Sequence, residues 1–200
     1  MKQTLLTILR DKNIDTSQFR KASNKLAFIL AGEVGSHLEK EKTKITTPMG
    51  QAEGQKIKND VIIIPILRAA LSILPPFLRF FEEAKVGFLG LKRDEKTAIA
   101  NIYYKNLPEI SSNDDIIILD PMIATGGSGT QAIQILKENG AKEEKIIFTA
   151  VICATEGILK IKKAFPKVKI ICVQEDNELN KEKFIVPGLG DFGDRYFGTL

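Results

Sequence analysis

The sequence predicts an α/β fold: a mostly parallel central sheet flanked by helices, with further helices at the N terminus and a β-arm. Three observations predict it. Short aliphatic runs recur from Val61 onward, "VIIIPIL", "VGFLGL", "DIIILD", "KIIFTAVI" and "VKIICV", each with the length and composition of a strand buried on both faces. Helical stretches separate several of them, and strands alternating with helices of about three turns favour parallel pairing through right-handed crossovers. The strand read over residues 116–120 runs straight into a proline and a glycine pair, "LDPMIATGGSGT", before the next helix. Sheets of this class bind ligands at the carboxyl ends of their strands.

At 200 residues the chain has the length of one well-packed domain, spanning residues 1–200. Its composition, 44% hydrophobic and 27% charged with 15 glycines and 8 prolines, is that of a soluble globular protein. A net charge of +4, from 29 basic against 25 acidic side chains, is too mild a surplus to point to nucleic acid, and no such partner is expected. Anionic small molecules remain compatible with it. Cys153 and Cys172 lie in apolar, β-rich runs and read as reduced, buried thiols, which points to the cytoplasm. No apolar run approaches the ~20 residues of a membrane helix, and no secretory pattern opens the chain, so neither insertion nor secretion is expected.

Along the chain, the N-terminal third reads as helical. Thr16 or Ser17 is placed to cap a helix whose stripe of Phe19, Ala22, Leu26, Ile29 and Leu30 suits the sheet or a partner subunit. His37, the single histidine, lies in a polar stretch and reads as solvated. The aliphatic runs then supply the sheet. Residues 92–105, with Tyr103 and Tyr104 in a β-favouring patch, form an arm able to cover a site. Residues 129–139 place Ala132, Ile135 and Leu136 on one helical face and stop at Gly140, a suitable terminator. Residues 155–164 repeat the idea. Lys160, Lys162, Lys163, Lys167 and Lys169 read as a solvated face.

The chemistry concentrates after residue 120. Thr125, Gly126, Gly127 and Ser128 lie just before a helix, where clustered backbone N–H groups, small hydroxyls and the positive end of a helix dipole suit a phosphate. The glycines let backbone approach phosphate oxygens closely and permit positive φ. The same pair also suits a plain strand-to-helix turn. Asp120 shifts the balance, because a carboxylate ending a buried strand needs a partner, either a ligand hydroxyl or a metal-bound water. Neither a Walker A loop nor a GxGxxG fingerprint is present, which disfavours nucleoside triphosphatases and dehydrogenases. An acid able to hold a diol, a few residues ahead of a phosphate cradle, matches the two ends of a ribose 5-phosphate.

These residues carry a resemblance. The stretch "LDPMIATGGSGT" is similar to the 5-phosphoribosyl-1-pyrophosphate (PRPP) loop of type I phosphoribosyltransferases. Most of that class has two adjacent acids where this chain has Asp120 and Pro121, and the Asp-Pro form resembles the uracil phosphoribosyltransferases. "IIPILRAALSI" resembles that family's "VPILRAG" segment, "LGLKRDEKT" its "GMYRNEET" segment, and "FIVPGLGDFGDRYFGTL" its C-terminal base-binding motif. "LRDKNIDTSQFR" is similar as well, so the likeness covers nearly the whole chain in order. It implies a pentosyltransferase of pyrimidine salvage that joins uracil to the phosphoribosyl group of PRPP, giving uridine monophosphate and pyrophosphate, with Mg²⁺ as cofactor and a homo-oligomeric state, dimer or tetramer.

The resemblance also implies roles. Asp120, Pro121, Met122, Ile123, Ala124, Thr125, Gly126, Gly127 and Ser128 would bind PRPP, the acid toward the ribose hydroxyls and the Thr-Gly-Gly-Ser portion around the 5-phosphate. Arg68 and Arg93 would contact PRPP at its pyrophosphate, where a fixed cationic fork suits phosphate oxygens better than lysine does. Asp191 falls on the PRPP side, through a hydrated Mg²⁺, while Ile185, Gly190, Asp191 and Phe192 surround uracil. Arg68, Arg93, Asp120 and Asp191 would carry catalysis. Read without the resemblance, "PGLGDFGD" is a Gly-rich turn region.

Three positions depart from the commonest pattern: Ala70 stands for a glycine, Lys92 for a tyrosine and Phe192 for an alanine beside the base. If position 70 needs positive φ, its Cβ would cost about 1 kcal/mol or more and shift Arg68. If the loop reads uracil through backbone, the Phe192 ring is tolerated turned away or against the ligand. The alternatives are a pyrimidine-responsive RNA-binding regulator on the same fold and a phosphoribosyltransferase for another base.

Overall fold

The structure, a computed structural model, describes residues 1–93 and 100–199, without the side chains of Arg93 and Ala100. Two helices open the chain. α1 (Lys2–Arg10) buries Leu5, Leu6 and Leu9. α2 (Thr16–His37) buries Phe19, Ala22, Leu26 and Leu30 from its expected stripe. Its cap is Asp15 rather than Thr16 or Ser17. The Asp15 carboxylate accepts from Gln18 N at 2.7 Å while Gln18 Oε1 accepts from Asp15 N at 3.1 Å, a capping box that satisfies both donors.

The reading of the N-terminal third as helical fails beyond residue 39. β1 (Lys40–Thr47) and β2 (Gly50–Ile57) form an antiparallel hairpin in the register Lys40↔Ile57 to Thr47↔Gly50. Both strands are mostly exposed. With no face to bury, they lack the aliphatic pattern by which a strand is recognised.

The main sheet then assembles from β3 (Val61–Leu67), β4 (Lys85–Val86), β5 (Phe88–Arg93), β6 (Ala100–Asn106), β7 (Asp115–Leu119), β8 (Met122–Ile123), β9 (Ile146–Ala154) and β10 (Lys169–Asp176). Its order is β10-β9-β7-β3-β5-β6, parallel except for the β5/β6 pair, with β4 beside β3 and β8 beside β9. All five aliphatic runs are strands of this sheet. α3 (Leu74–Phe80), α4 (Gly127–Glu138) and α5 (Thr155–Ala164) connect them. One core layer joins α1, α2 and α3 to one sheet face through Leu30, Val34, Phe77 and Ile117; the other joins α4 and α5 to the opposite face through Ile118, Ile133, Phe148 and Ile161.

Connectivity places the site. From β3 the chain moves outward to β4, β5 and β6, then returns to β7 on the other side of β3. That reversal opens a crevice at the carboxyl edge between β3 and β7, the usual ligand position in such sheets. β3 and β7 pair from Val61↔Asp115 to Pro65↔Leu119, so Arg68 and Asp120 leave the sheet side by side. The chain ends with a small pair, β11 (Glu178–Leu179) and β12 (Ile185–Val186), and α6 (Phe192–Phe197). Among the described residues, no helix is long and apolar enough to cross a membrane.

The expected arm over residues 92–105 is in part the antiparallel β5/β6 pair, Phe88↔Asn106 to Arg93↔Ala100. Residues 94–99, its central portion, lie outside the described residues. Tyr103 and Tyr104 are exposed on β6. His37 is exposed beside Lys169, its Nδ1 3.1 Å from Lys169 Nζ. Lys160, Lys163, Lys167 and Lys169 are exposed as expected, whereas Lys162 is half-buried and donates to the Val168 carbonyl.

Candidate active site

Pro121 anchors the loop that leaves β7. Its carbonyl accepts from both Val151 N and Ile152 N, at 3.0 and 3.1 Å, while Asp120 N donates to Thr149 O at 3.1 Å. The following β8 pairs Ile123 with Cys153. Helix α4 begins at Gly127, two residues before the expected start, so Gly127 and Ser128 belong to its first turn. Their amides are therefore among the unpaired N–H groups of a helix N terminus. Gly126 precedes them with φ of 73°, a left-handed conformation that costs glycine nothing. A Cβ there would also come within 2.6 Å of the Gly157 carbonyl oxygen. The Gly126 carbonyl accepts from Thr130 N and Oγ1, at 2.9 and 2.8 Å. Around this turn, Asp120, Met122, Ala124, Thr125, Gly126, Gly127 and Ser128 line a cavity of about 140 Å³.

Asp120 retains partial exposure, yet its carboxyl is desolvated and pushed up to about 7; burial is the chief cause, the Asp191 charge adds to it, and the Met122 N–H, 3.3 Å away, opposes it. A carboxyl in that condition can accept hydroxyl protons or face a cation-bound water once a ligand enters. Its sensitivity to Asp191 also shows that the C-terminal motif reaches this edge. Asp191 is exposed and caps α6, accepting from Asp194 N at 2.8 Å.

Arg68 lies on the same rim. The residue is exposed, its Nη2 3.1 Å from Asp194 Oδ1, and the Leu67–Arg68 peptide is cis. The C-terminal helix packs on the turn that follows, where a Cβ on Gly193 would lie 3.5 Å from that of Ala69. Arg93 is the exception among the candidates. Its backbone ends β5 beyond the Leu67↔Gly90 pairing, and its side chain lies outside the described residues. Ile185 and Phe192 are buried, with the Phe192 ring edge-on to Phe19 at 5.0 Å. Their side chains are core, which leaves backbone as their means of meeting a ligand. Gly190 is exposed with φ of 78°. Among the described residues, no group of three or more His, Cys, Asp or Glu side chains could hold a metal.

A family model described as uracil phosphoribosyltransferase matches residues 1–199. The chain belongs to that family. It is 43% identical over 194 residues to a uracil phosphoribosyltransferase of Mycoplasma genitalium, covering 97% of this chain and 93% of that one. A uracil phosphoribosyltransferase of Finegoldia magna is 44% identical over 195 residues, with 97% and 92% covered. Among solved structures, the AQ2163 protein of Aquifex aeolicus superposes with a TM-score of 0.87 at 35% identity, covering 98% of this chain and 93% of that one. A hypoxanthine-guanine phosphoribosyltransferase of Bacillus anthracis shares the fold, with a TM-score of 0.53 at 12% identity over 84% and 83% of the two chains.

Measured against the family pattern, Ala70 has no strain to bear. Lys183 is the one non-glycine residue with positive φ among those described, and Ala70 sits buried in a 3₁₀ turn, Ala69–Ser72. Lys92 is exposed on β5. Four supporting residues went unrecognised in the sequence. Asp194 holds Arg68; Gly157 makes room for the turn at Gly126; Asp176 and Arg195 hold the C-terminal motif. Gly157 had a signal, a glycine inside a helical pattern with no stated reason. The charged three had none, because their partners lie far away in the chain.

Proposed function

We propose that the chain transfers the 5-phosphoribosyl group of PRPP to uracil, giving uridine monophosphate and pyrophosphate. The observation that supports this reading is the cavity that Asp120 shares with the turn 125–128, with the Asp191 charge felt at Asp120 and Arg68 paired to Asp194 of the same C-terminal helix. The amides and hydroxyls of residues 125–128 take the 5-phosphate, and Asp120 takes the ribose hydroxyls. Arg68 would face the pyrophosphate, the role the family resemblance also gives Arg93, and Ile185, Gly190, Asp191 and Phe192 would present backbone to uracil. Uracil offers two carbonyl acceptors and ring N–H groups, whereas cytosine reverses part of that pattern and leaves buried groups unpaired, a strong basis for rejection.

The attack of uracil N1 on the anomeric carbon inverts it, breaks the bond to pyrophosphate and releases the N1 proton. Charge of oxocarbenium type develops on the ribose, and positioning together with fixed cations lowers the barrier. Mg²⁺ bound with PRPP would supply positive charge against the pyrophosphate. Asp191, an exposed carboxylate, is the residue that would hold it through water. The described part of the arm, the β5/β6 pair with Tyr103 and Tyr104, would cover the site and limit hydrolysis of PRPP; unchanged hydrogen exchange in residues 100–105 on PRPP binding would remove that role. The chain works in the cytoplasm as a homo-oligomer, with Phe28 and Phe80 among the exposed apolar side chains that a second copy would cover.

The test incubates the protein with PRPP, Mg²⁺ and each of uracil, cytosine, hypoxanthine and orotate, following pyrophosphate release. Uracil alone should release it at a substantial rate. Release with another base and none with uracil would overturn the reading.

A further inference from the structure

The C-terminal loop is held from behind by two arginine clamps. Arg195 Nη1 donates to Leu189 O at 2.8 Å and to the Leu9 carbonyl, while Nη2 donates to Asp11 O at 2.6 Å. Leu9 and Asp11 end α1, so one guanidinium satisfies carbonyls left open by that helix and ties them to the loop. Its charge sits 4.5 Å from the Phe19 ring, and among the described residues no carboxylate lies within ion-pair distance of it. The second clamp is Arg10, whose Nη2 meets the buried Asp176 carboxylate at 2.7 Å; the other oxygen of Asp176 accepts from Gly188 N at 2.9 Å. Both clamps therefore start at the end of α1. Their attachment points on the loop, Gly188 N and Leu189 O, are adjacent, in a stretch where Gly188 and Gly190 have φ of 58° and 78°, a segment with little stiffness of its own.

We propose that Arg195 is the positioning residue that sets uracil affinity, by clamping the loop at Leu189 to α1 so that the backbone groups of residues 189–192 are held ready for the base, with Arg10 and Asp176 as the second clamp. This rests on the proposed placement of uracil at that loop. A guanidinium suits the task because two of its nitrogens reach three carbonyls at once, which a single ammonium cannot reproduce. The clamp touches neither the turn 125–128 nor Asp120, so its loss acts on the base and leaves PRPP binding in place.

Steady-state kinetics of Arg195→Lys, Arg195→Ala and Arg10→Met test this, with KM measured separately for uracil and PRPP and with circular dichroism to verify folding. We expect the uracil KM to rise about tenfold or more in Arg195→Lys, as loss of charge-assisted hydrogen bonds predicts, with the PRPP KM within about twofold of wild type. Added guanidinium ion should lower the uracil KM of Arg195→Ala toward the wild-type value. Arg10→Met should shift the same constant in the same direction. An unchanged uracil KM in folded Arg195→Lys, or an equal rise of both constants, would overturn the clamp. If Arg195→Ala does not fold, the other two variants decide the matter. Wild-type protein inactive with uracil would instead defeat the functional reading beneath it.

Discussion

Arg68 and Asp194 form an ion pair of 3.1 Å across the rim of the crevice, and the Phe197 ring lies 6.0 Å from the same guanidinium. The cation assigned to pyrophosphate is thus held at rest by the C-terminal helix. The pair is well exposed, so it contributes at most about 1 kcal/mol and yields easily to a polyanion. Arg68→Ala should lower kcat/KM for PRPP by roughly a hundredfold or more, as loss of a group facing transition-state charge does. Asp194→Asn should alter it by less than about tenfold, because only the resting pair is lost. Comparable losses in the two variants would mean that Asp194 does more than hold Arg68.

Gly157 stands behind the turn at Gly126, its own Cβ position meeting the Ala124 carbonyl oxygen and the Ile123 side chain. Gly157→Ala should displace that turn and destabilise the protein by about 1–3 kcal/mol, as overpacking does. Its PRPP KM should rise more than its uracil KM. Thermal melts and the two Michaelis constants check both parts.

Asp120 makes stability depend on pH in a defined direction. Its carboxyl titrates at about 7 in the folded chain against an ordinary 3.8, so folding takes up a proton between those values. The stabilisation is full below about pH 4 and is lost as pH rises through 7. Asp120→Asn does not titrate there. Its melting temperature relative to wild type should climb by several degrees across that window and level off above about pH 8, while its turnover falls sharply. A constant difference would remove the desolvated carboxyl from the account.

Phe192 fills core beside Phe19. Phe192→Ala should cost about 3–5 kcal/mol of stability, yet the folded fraction should keep a uracil KM within a few-fold of wild type, since the ring is buried in the core against Phe19. A large rise in uracil KM without loss of stability would place the ring in the site.

The parallel sheet, its carboxyl edge and the family are legible in the residues alone. Buried parallel strands must be aliphatic on both faces, and a phosphate turn must be small and glycine-rich, so the local residues of 61–67, 115–119 and 125–128 carry their own explanation. The residues alone do not determine the hairpin of residues 40–57, whose exposed strands bury no face and leave no apolar period. Nor do they show that the Phe192 ring turns inward, that Asp15 rather than Thr16 caps α2, or that Arg195 joins Leu9 to Leu189. These come from folding, because each depends on which distant group the folded chain brings within hydrogen-bond or van der Waals reach, and sequence spacing carries no record of that distance.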